Sequence, residues 1–331
     1  MTATIRNISY HLPQDTYPED RLYVDFKELK GQKALQRLGV KNRHVISNDE
    51  TASGMAIKAA KNMFDGYGVN ASTIDYVIFC SQEFDYYTPS TACVIQHKLG
   101  IPSTAGALDF NLGCTGFLYG LSMAKGLIET NQCSNVLLLT ASCPTRRVHP
   151  EDGHFKILFG DAAAATLISS SESNHEYGKF IFGTDGSKYQ ALIVEKGAGQ
   201  NLNHSPDAAS KMVDRDYMLS MDGIGILNFT MEVVPELVNN VLNKNNLKLE
   251  DVDLCIFHQP NKFILEQLRK KIGIDENKFI IHIEDTGNTV SSTIPIALAE
   301  SLNNGKAKRG MKIMLIAFGV GLSWAGTVIK L

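Results

Sequence analysis

The stretch STIDYVIFCSQ at residues 72–82 decides the fold, because a close counterpart, EDVDLCIFHQP, follows at residues 250–260. Each stretch places a polar, acidic turn before a short apolar run bounded by polar residues, which is typical of a buried strand. The second stretch lies about half a chain length after the first. A repeat at this separation indicates that one structural unit occurs twice in the chain.

Two further pairs of segments keep nearly the same separation along the chain. The turn Gly113-Cys-Thr matches the turn Gly287-Asn-Thr. The apolar run that begins at Asn135 matches the run that begins at Met311. Agreement over three elements in the same order favours a duplicated βα unit.

Apolar runs alternate with helical patterns along the chain, so we predict an α/β fold with largely parallel, buried strands. We place the two duplicated halves at residues 1–172 and 173–331, and an insertion loop in the polar stretch 201–216. The predicted strands are Tyr76–Cys80, Ala107–Phe110, Asn135–Ala141, Ala164–Ile168, Leu254–Phe257, Phe279–Ile283, Lys312–Phe318 and Thr327–Leu331.

Composition narrows the classes of partner and location. The 331 residues carry 32 Lys and Arg against 35 Asp and Glu, with no basic run, so a nucleic acid is not the expected partner. The longest uncharged stretch, Ile313–Ile329, is interrupted by glycines and is shorter than the about 20 apolar residues that a spanning helix needs. We therefore predict two buried strands joined at Gly319-Val-Gly, and no membrane partner. The six scattered cysteines and the lack of a secretory signal favour reduced thiols and a cytoplasmic location.

Cys114 is the first candidate for chemistry. The glycines at 113 and 116 allow a tight turn and a close approach by a substrate. Apolar residues then recur at helical spacing, at Phe117, Leu121, Ala124 and Ile128. Cys114 therefore lies near a helix N-terminus, whose partial positive charge predicts a lowered thiol pKa and a nucleophilic sulfur. The alternative is a buried cysteine that acts as a small apolar side chain.

His258 and Asn288 are the second and third candidates. His258 ends a predicted strand, where a histidine is either a hydrogen-bonded core residue or a site residue facing the next loop. Asn288 precedes a predicted helix, where asparagine commonly caps the helix, and a cap can also fix a site residue. Equivalent turns of duplicated halves meet near their pseudo-twofold axis, and α/β sites lie at the carboxyl ends of strands. We therefore predict that Cys114, His258 and Asn288 converge.

The sequence lacks the signatures of metal sites, of nucleotide-binding sites and of papain-like proteases. The remaining histidines show no metal-ligand spacing, so we predict no metal. Gly160-Asp-Ala and Gly319-Val-Gly lack the glycine patterns of nucleotide-binding loops, so we predict no NAD or ATP cofactor. A cysteine protease uses the same three residue types, but the Cys-Gly-Ser-Cys-Trp motif of papain-like enzymes is absent.

The chain resembles the thiolase-fold condensing enzymes over nearly its whole length, most closely β-ketoacyl-acyl-carrier-protein synthase III. The resemblance implies a five-layered αβαβα fold, a homodimer and a Cys–His–Asn triad at Cys114, His258 and Asn288. It also implies an oxyanion hole formed by the backbone N–H groups of Cys114 and Val320. The matching motifs are Gly39-Val-Lys-Asn-Arg-His, Thr88-Pro-Ser-Thr-Ala-Cys, Gly113-Cys-Thr-Gly-Phe, Phe159-Gly-Asp-Ala, His258-Gln-Pro-Asn, Gly287-Asn-Thr and Phe318-Gly-Val-Gly-Leu-Ser-Trp.

The reaction implied by the resemblance begins with transfer of an acyl group from a thioester to Cys114. A malonyl thioester then loses CO2, and the resulting enolate, held by His258 and Asn288, attacks the acyl group. The implied partners are an acyl-carrier protein, acyl-coenzyme A or both. The implied acyl-pocket residues are Thr88 and Phe117, and the implied carrier-binding and pantetheine-binding residues are Arg37, Asn261 and Lys262.

Several positions depart from the family pattern. Val320 replaces a glycine at the oxyanion position. Lys33 replaces a tryptophan that stacks on the coenzyme A adenine, Gly153 or Asp152 replaces a basic residue, and Phe263 replaces an arginine. These changes favour an acyl-carrier protein as donor. The small Thr88, where acetyl-specific members carry a bulky residue, favours an acyl group longer than acetyl.

Two alternatives keep the same fold. A specialised member of the family transfers the acyl group to a hydroxyl, an amine or a β-keto acid instead of condensing it with a malonyl group. A catalytically idle partner subunit forms no acyl-cysteine at all, which the intact triad residues argue against.

Overall fold

The computed structural model describes residues 1–172, 178–198 and 215–331, so the predicted insertion loop lies outside the described residues as far as residue 214. The strands are β1 (Thr2–His11), β2 (Tyr76–Cys80), β3 (Gly106–Phe110), β4 (Asn135–Ser142), β5 (Ala162–Ser171), β6 (Ile181–Thr184), β7 (Leu192–Ile193), β8 (Ser220–Met221), β9 (Leu254–Phe257), β10 (Phe279–Ile280), β11 (Lys312–Gly319) and β12 (Ser323–Lys330). The α-helices of the described residues are α1 (Glu19–Asp25), α2 (Lys33–Gln36), α3 (Ala52–Tyr67), α4 (Thr91–Lys98), α5 (Gly116–Glu129), α6 (Gly153–Lys156), α7 (Gly223–Lys244), α8 (Lys262–Ile272) and α9 (Thr293–Asn303).

The long strands form two five-stranded sheets with the same topology. The first sheet has the order β1-β5-β4-β2-β3, and the second has the order β6-β12-β11-β9-β10. In both sheets the first two pairings are antiparallel and the last two are parallel. The duplication is therefore confirmed at the level of topology. The division at residues 172 and 173 stays a prediction, because residues 173–177 are not described.

The prediction of largely parallel sheets was wrong, since half of the long-strand pairings are antiparallel. The strands that sequence reasoning missed account for much of the difference. β1 mixes polar and apolar residues, and β6 has only four residues, so neither gives the continuous apolar run of a parallel strand. The predicted strand Phe279–Ile283 is also shorter, because pairing with β9 involves only Phe279 and Ile280.

Alternation along the central strands produces five layers. Ile78 of β2 faces a core that contains α5, α9 and residues of both sheets, whereas Val77 and Phe79 face α3 and α4. In β9, Leu254 and Ile256 face the same central core, whereas the alternate residues face α7 and α8. Successive side chains of a strand point to opposite faces of the sheet, so a strand with helices on both sides is buried on both faces. The order is thus helices, sheet, helices, sheet, helices, which confirms the predicted αβαβα thiolase fold.

The uncharged stretch at residues 313–329 forms the antiparallel hairpin of β11 and β12, in the interior of the second sheet. The prediction of two buried strands is confirmed. Among the described residues, no helix combines the length and the apolar character that crossing a membrane requires.

Helix α5 packs closely on the first sheet, and two of its glycines provide a matched test. A Cβ atom on Gly120 would collide with Leu138 of β4, whereas a Cβ on the exposed Gly126 has no atom within 4 Å. We expect Gly120→Ala to lower the free energy of unfolding by about 1–3 kcal/mol through overpacking. Gly126→Ala should raise it by about 0.5–1 kcal/mol, because alanine favours the helix. Urea denaturation of both variants checks this, and equal stabilities would contradict the close packing.

Candidate active site

Cys114 lies in the turn between β3 and α5, where the residue is only 8% exposed. Helix α5 begins at Gly116, two residues after the cysteine. The predicted apolar face of this helix is fully buried, at Phe117, Leu121, Ala124 and Ile128. The helix is therefore fixed between the two sheets, and it holds the cysteine turn at the carboxyl end of β3.

The end of β11 and the loop that follows it lie against this cysteine from the other half of the chain. Gly319 has a φ of +155°, and a Cβ atom there would lie 2.8 Å from both the Cβ and the Sγ of Cys114. Only glycine permits so close an approach. The Val320 side chain turns toward Gly113, where its Cγ1 would lie 2.5 Å from an added Cβ. The side chain that distinguishes this chain from the family pattern therefore packs over the cysteine turn.

The backbone N–H groups of Cys114 and Val320 lie beside the Cys114 sulfur and act to lower its pKa. They are the groups predicted for an oxyanion hole. Burial nevertheless raises the pKa of the Cys114 thiol to about 11, and the two N–H groups offset the shift only in part. The predicted lowering of this pKa was therefore wrong, because desolvation outweighs the local dipoles.

His258 follows β9 and is 2% exposed. Its backbone N–H donates to the Ile316 carbonyl at 2.7 Å, which continues the pairing of β9 with β11. Its ring meets Phe318 edge-on, with 5.6 Å between the centroids. Nδ1 lies 2.8 Å from Thr293 Oγ1, which leaves Nε2 for the site. Burial lowers the pKa of His258 to about 3, so the imidazole is neutral near pH 7.

Asn288 lies in the turn before α9 and is 5% exposed. Its Oδ1 accepts a hydrogen bond from the Val290 N–H at 2.9 Å, which forms an Asx turn just before the short helical turn ahead of α9, whose N-cap residue is Thr289. The amide nitrogen Nδ2 is left to donate elsewhere. Val290 has a φ of +53°, which is rare for a β-branched residue. The turn is anchored by a 2.8 Å bond from the Asn288 N–H to the Leu158 carbonyl.

Shared neighbours bring the three predicted residues into one region. Val290, two residues after Asn288, packs in one apolar cluster with Cys114. Phe318 contacts His258, and the next residue, Gly319, lies against Cys114. The cysteine thus comes from the first half of the chain, and His258 and Asn288 come from the second.

Apolar side chains that sequence reasoning missed surround Cys114. The same cluster contains buried Val148, Leu158 and Phe159 and, at its edge, half-buried Phe155, Leu219 and Met221. These residues come from segments far from position 114, so no local sequence signal connects them to it. They pack in one cluster with Cys114 and form an apolar wall suited to an acyl chain.

The residues predicted for the acyl pocket occupy other places. Phe117 is fully buried in the central core rather than in the cluster around Cys114. Thr88 is exposed in the loop between β2 and α4. Neither assignment is tested by contacts within a single chain, so both stay predictions.

The residues predicted for carrier binding lie on two adjoining segments. The Lys262 N–H donates to the Leu38 carbonyl at 2.8 Å, next to the exposed Arg37. The Lys262 side chain packs against Gly39, and Asn261 caps helix α8 through a 2.8 Å bond to the Ile264 N–H. Arg37 and Lys262 therefore lie on neighbouring strips of surface. Their role in binding a carrier stays a prediction.

No group of residues suited to a metal ion occurs in the described ranges. All six cysteines lie within those ranges, and each is free. Cys114 differs from the other five because backbone N–H groups of two separate segments converge on its sulfur.

Comparisons with known proteins agree with this geometry. Residues 108–186 match the family model for 3-oxoacyl-[acyl-carrier-protein (ACP)] synthase III. Residues 242–331 match the model for the C-terminal part of the same enzymes. The two matches contain Cys114, His258 and Asn288.

The similarity to individual proteins extends over the whole chain. A β-ketoacyl-[acyl-carrier-protein] synthase III from Clostridium perfringens is 36% identical over 329 residues, which cover 99% of each chain. A crystal structure of a 3-oxoacyl-(acyl-carrier-protein) synthase III has a TM-score of 0.95 and 40% identity, with 100% of both chains covered. A 3-oxoacyl-(acyl-carrier protein) synthase from Burkholderia xenovorans has a TM-score of 0.92 and 31% identity, covering 100% of this chain and 94% of that one. Together with the five-layered fold, these matches show that the chain belongs to the β-ketoacyl-acyl-carrier-protein synthase III family of condensing acyltransferases.

Proposed function

We propose that this protein loads an acyl group from a thioester donor onto Cys114 and condenses it with malonyl-acyl-carrier protein. The observation that carries the proposal is the close approach of Gly319 to the Cys114 sulfur, which places the backbone N–H groups of Cys114 and Val320 beside that sulfur. A carbonyl bonded to that sulfur would place its oxygen beside donors already in position. Such preorganised donors stabilise the tetrahedral oxyanion of acyl transfer.

In the first step the Cys114 sulfur attacks the carbonyl carbon of the donor thioester. The oxyanion that forms is stabilised by the Cys114 and Val320 N–H groups. The bond to the carrier sulfur then breaks, and the carrier thiol leaves with the proton that Cys114 gave up. Covalent capture divides one difficult reaction into two easier ones. The apolar wall of Val148, Phe159 and Met221 suits the hydrocarbon part of the acyl group.

In the second step the malonyl group loses CO2, and the electrons of the broken C–C bond form an enolate. His258 and Asn288 stabilise the enolate oxygen through hydrogen bonds from Nε2 and Nδ2. The enolate carbon then attacks the acyl carbonyl, the bond to Cys114 breaks, and the thiol is regenerated by protonation. The product is a β-ketoacyl thioester two carbons longer than the acyl group.

Donation from His258 Nε2 requires the tautomer in which Nδ1 accepts a hydrogen bond. The Thr293 hydroxyl has one proton, which it can give either to Nδ1 at 2.8 Å or to the Val290 carbonyl at 3.1 Å. Donation from Nε2 requires the first arrangement, in which the Thr293 hydroxyl gives up its bond to the Val290 carbonyl and donates to Nδ1. Thr293 then sets the tautomer that enolate binding needs.

The donor is proposed to be an acyl-carrier protein. At Gly153, where the family carries a basic residue, an added Cβ would lie 2.6 Å from Leu29 and 2.8 Å from Phe26. A larger side chain does not fit there without movement of these residues. Lys33 stands at the position of the adenine-stacking tryptophan. Both features weaken a coenzyme A site, whereas exposed Arg37 and Lys262 suit an acidic carrier.

A homodimer completes the proposal. β3 is an edge strand of the first sheet, and its Leu108 is 40% exposed. The nearby loop before α4 exposes Tyr86 and Tyr87 as well. Pairing of two β3 edges would cover these apolar groups and bring Thr88 of one protomer toward the acyl pocket of the other. The predicted cytoplasmic location rests on the reduced cysteines.

One alternative reaction uses the same acyl-Cys114. The Val320 side chain packs over the cysteine turn, where the family usually carries glycine. This local difference favours a specialised member that transfers the acyl group to a hydroxyl, an amine or a β-keto acid. Product analysis separates the two reactions, since only condensation releases CO2 from a malonyl donor. A catalytically idle subunit would form no acyl-cysteine.

Replacement of Cys114 tests the first step. We expect the wild-type protein, mixed with a panel of acyl-carrier-protein and acyl-coenzyme A donors, to gain the mass of one acyl group. Cys114→Ala should gain none, because the nucleophile is absent, whereas Cys93→Ala, at an exposed cysteine, should load like the wild type. Intact-mass spectrometry makes the measurement. Loading of Cys114→Ala at the wild-type rate would refute the assignment of the nucleophile.

Replacement of His258 or Asn288 tests the second step. We expect His258→Ala and Asn288→Ala to lower malonyl decarboxylation by about 10²–10³-fold, because each removes one donor to the enolate. Acyl loading should continue in both variants. His97→Ala, at an exposed histidine, is the control. Release of labelled CO2 from malonyl-acyl-carrier protein gives the rate, and undiminished release from both variants would exclude enolate binding by these residues.

The raised pKa of Cys114 predicts a pH dependence. The thiolate is the reactive form, and it is the minor form at every pH below about 11. The rate of alkylation of Cys114 by iodoacetamide should therefore rise by about tenfold per pH unit between pH 7 and pH 10. Mass spectrometry of the peptide that contains Cys114 measures this rate. A plateau below pH 9 would mean that the thiol ionises far more easily than its burial implies.

A further inference from the structure

Three pairs of buried hydroxyl groups join the two halves of the chain in the described residues. Thr115 Oγ1 lies 2.9 Å from Ser323 Oγ. Thr140 Oγ1 lies 3.0 Å from Ser292 Oγ, and Ser142 Oγ lies 3.0 Å from Ser291 Oγ. Only the first pair connects the two segments whose N–H groups meet at the Cys114 sulfur.

The first pair belongs to a directed chain of hydrogen bonds. Ser323 Oγ donates to the Val320 carbonyl at 2.8 Å, so its single proton is used there. The Thr115 hydroxyl must then donate to Ser323 Oγ. Thr115 directly follows Cys114, and Val320 carries the second N–H donor. The chain therefore runs from the cysteine turn to the residue that completes the oxyanion hole.

The position of Thr115 makes this bond unusual. It is the N-cap residue of α5, where a threonine hydroxyl commonly accepts a bond from the first turn of its own helix. Here the side chain makes no capping bond and reaches across to the other half instead. Thr115 is fully buried and Ser323 is 3% exposed, so water does not compete for either hydroxyl.

We propose that Thr115 and Ser323 are positioning residues that hold the Val320 N–H group in register with the Cys114 N–H group. Val320 lies between Gly319 and Gly321, which impose little restriction on the backbone. The hydroxyl chain supplies that restriction through its bond to the Val320 carbonyl. Because the N–H groups act only if they point at the oxyanion, a small displacement of Val320 lowers the rate of acyl transfer. The proposal rests on the proposed function of Cys114.

The test compares acyl loading in variants that remove one hydroxyl each. Thr115→Val and Ser323→Ala should load Cys114 about tenfold to hundredfold more slowly at saturating donor, because one oxyanion donor is misplaced rather than lost. The donor concentration for half-maximal rate should stay within about threefold, since binding is unchanged. Thr115→Ser keeps the hydroxyl and should restore most of the rate. Rapid-quench intact-mass spectrometry measures the loading.

A spectroscopic readout separates positioning from a general structural role. The infrared stretch of a ¹³C-labelled acyl carbonyl on Cys114 should lie at lower frequency in the wild type than in Thr115→Val or Ser323→Ala, because two well-aligned donors weaken the C=O bond. The control is Thr140→Val, which removes another buried bridge between the halves. In this variant Ser292 keeps a 3.2 Å bond to the residue 140 carbonyl. It should load at the wild-type rate and keep the wild-type frequency.

Each outcome decides the proposal. Slow loading with a raised carbonyl frequency in Thr115→Val and Ser323→Ala, and neither in Thr140→Val, supports it. Wild-type loading and frequency in both Thr115→Val and Ser323→Ala would overturn this inference and leave the proposed function standing. Equal slowing of loading in Thr140→Val would do the same. A wild-type protein that takes no acyl group from any donor overturns the proposed function, and this inference with it.

Discussion

The contact between Gly319 and Cys114 is the constraint on which the site depends. A loop from the second half of the chain lies so close to a cysteine of the first half that no Cβ atom fits between them. The two segments belong to sheets with the same topology, which pack against shared central helices. The same approach brings the Val320 N–H to the sulfur and Phe318 to the His258 ring. Loss of this contact would separate Cys114, the proposed nucleophile, from the proposed oxyanion donor and from the neighbourhood of His258.

Burial decides the charge of the two titrating groups of the site. It raises the pKa of the Cys114 thiol to about 11 and lowers the pKa of His258 to about 3, so both groups are neutral near pH 7. A neutral imidazole is what donation to an enolate requires, whereas a neutral thiol makes the resting cysteine a weak nucleophile. In the proposed reaction the backbone N–H groups are already in position, and they would lower the barrier where negative charge develops during acyl transfer. Desolvation thus raises the pKa of the Cys114 thiol, whereas the backbone N–H dipoles lower it.

The sequence allowed the fold to be predicted and singled out three candidate site residues, whose roles stay proposals, for reasons that particular elements make clear. β2 and β9 are continuous apolar runs, and the turns at Cys114 and Asn288 repeat between the halves, so alignment of the chain with itself was informative. The antiparallel pairings made by β1 and β6 were missed because β1 is half polar and β6 is short. The direction of the Cys114 pKa shift was missed because the groups that desolvate it, such as Val148 and Phe159, come from other segments. The bond between Thr115 and Ser323 spans 208 positions, a separation at which sequence carries no pairing signal.

A crystal structure of the protein with an acyl group trapped on Cys114, obtained in a His258→Ala background that blocks the second step, tests the central claim most directly. The account predicts that the acyl carbonyl oxygen lies about 3 Å from both the Cys114 and the Val320 nitrogen atoms. It also predicts that the hydrocarbon chain lies against Val148, Phe159 and Met221. A carbonyl oxygen directed away from these two N–H groups would contradict the account.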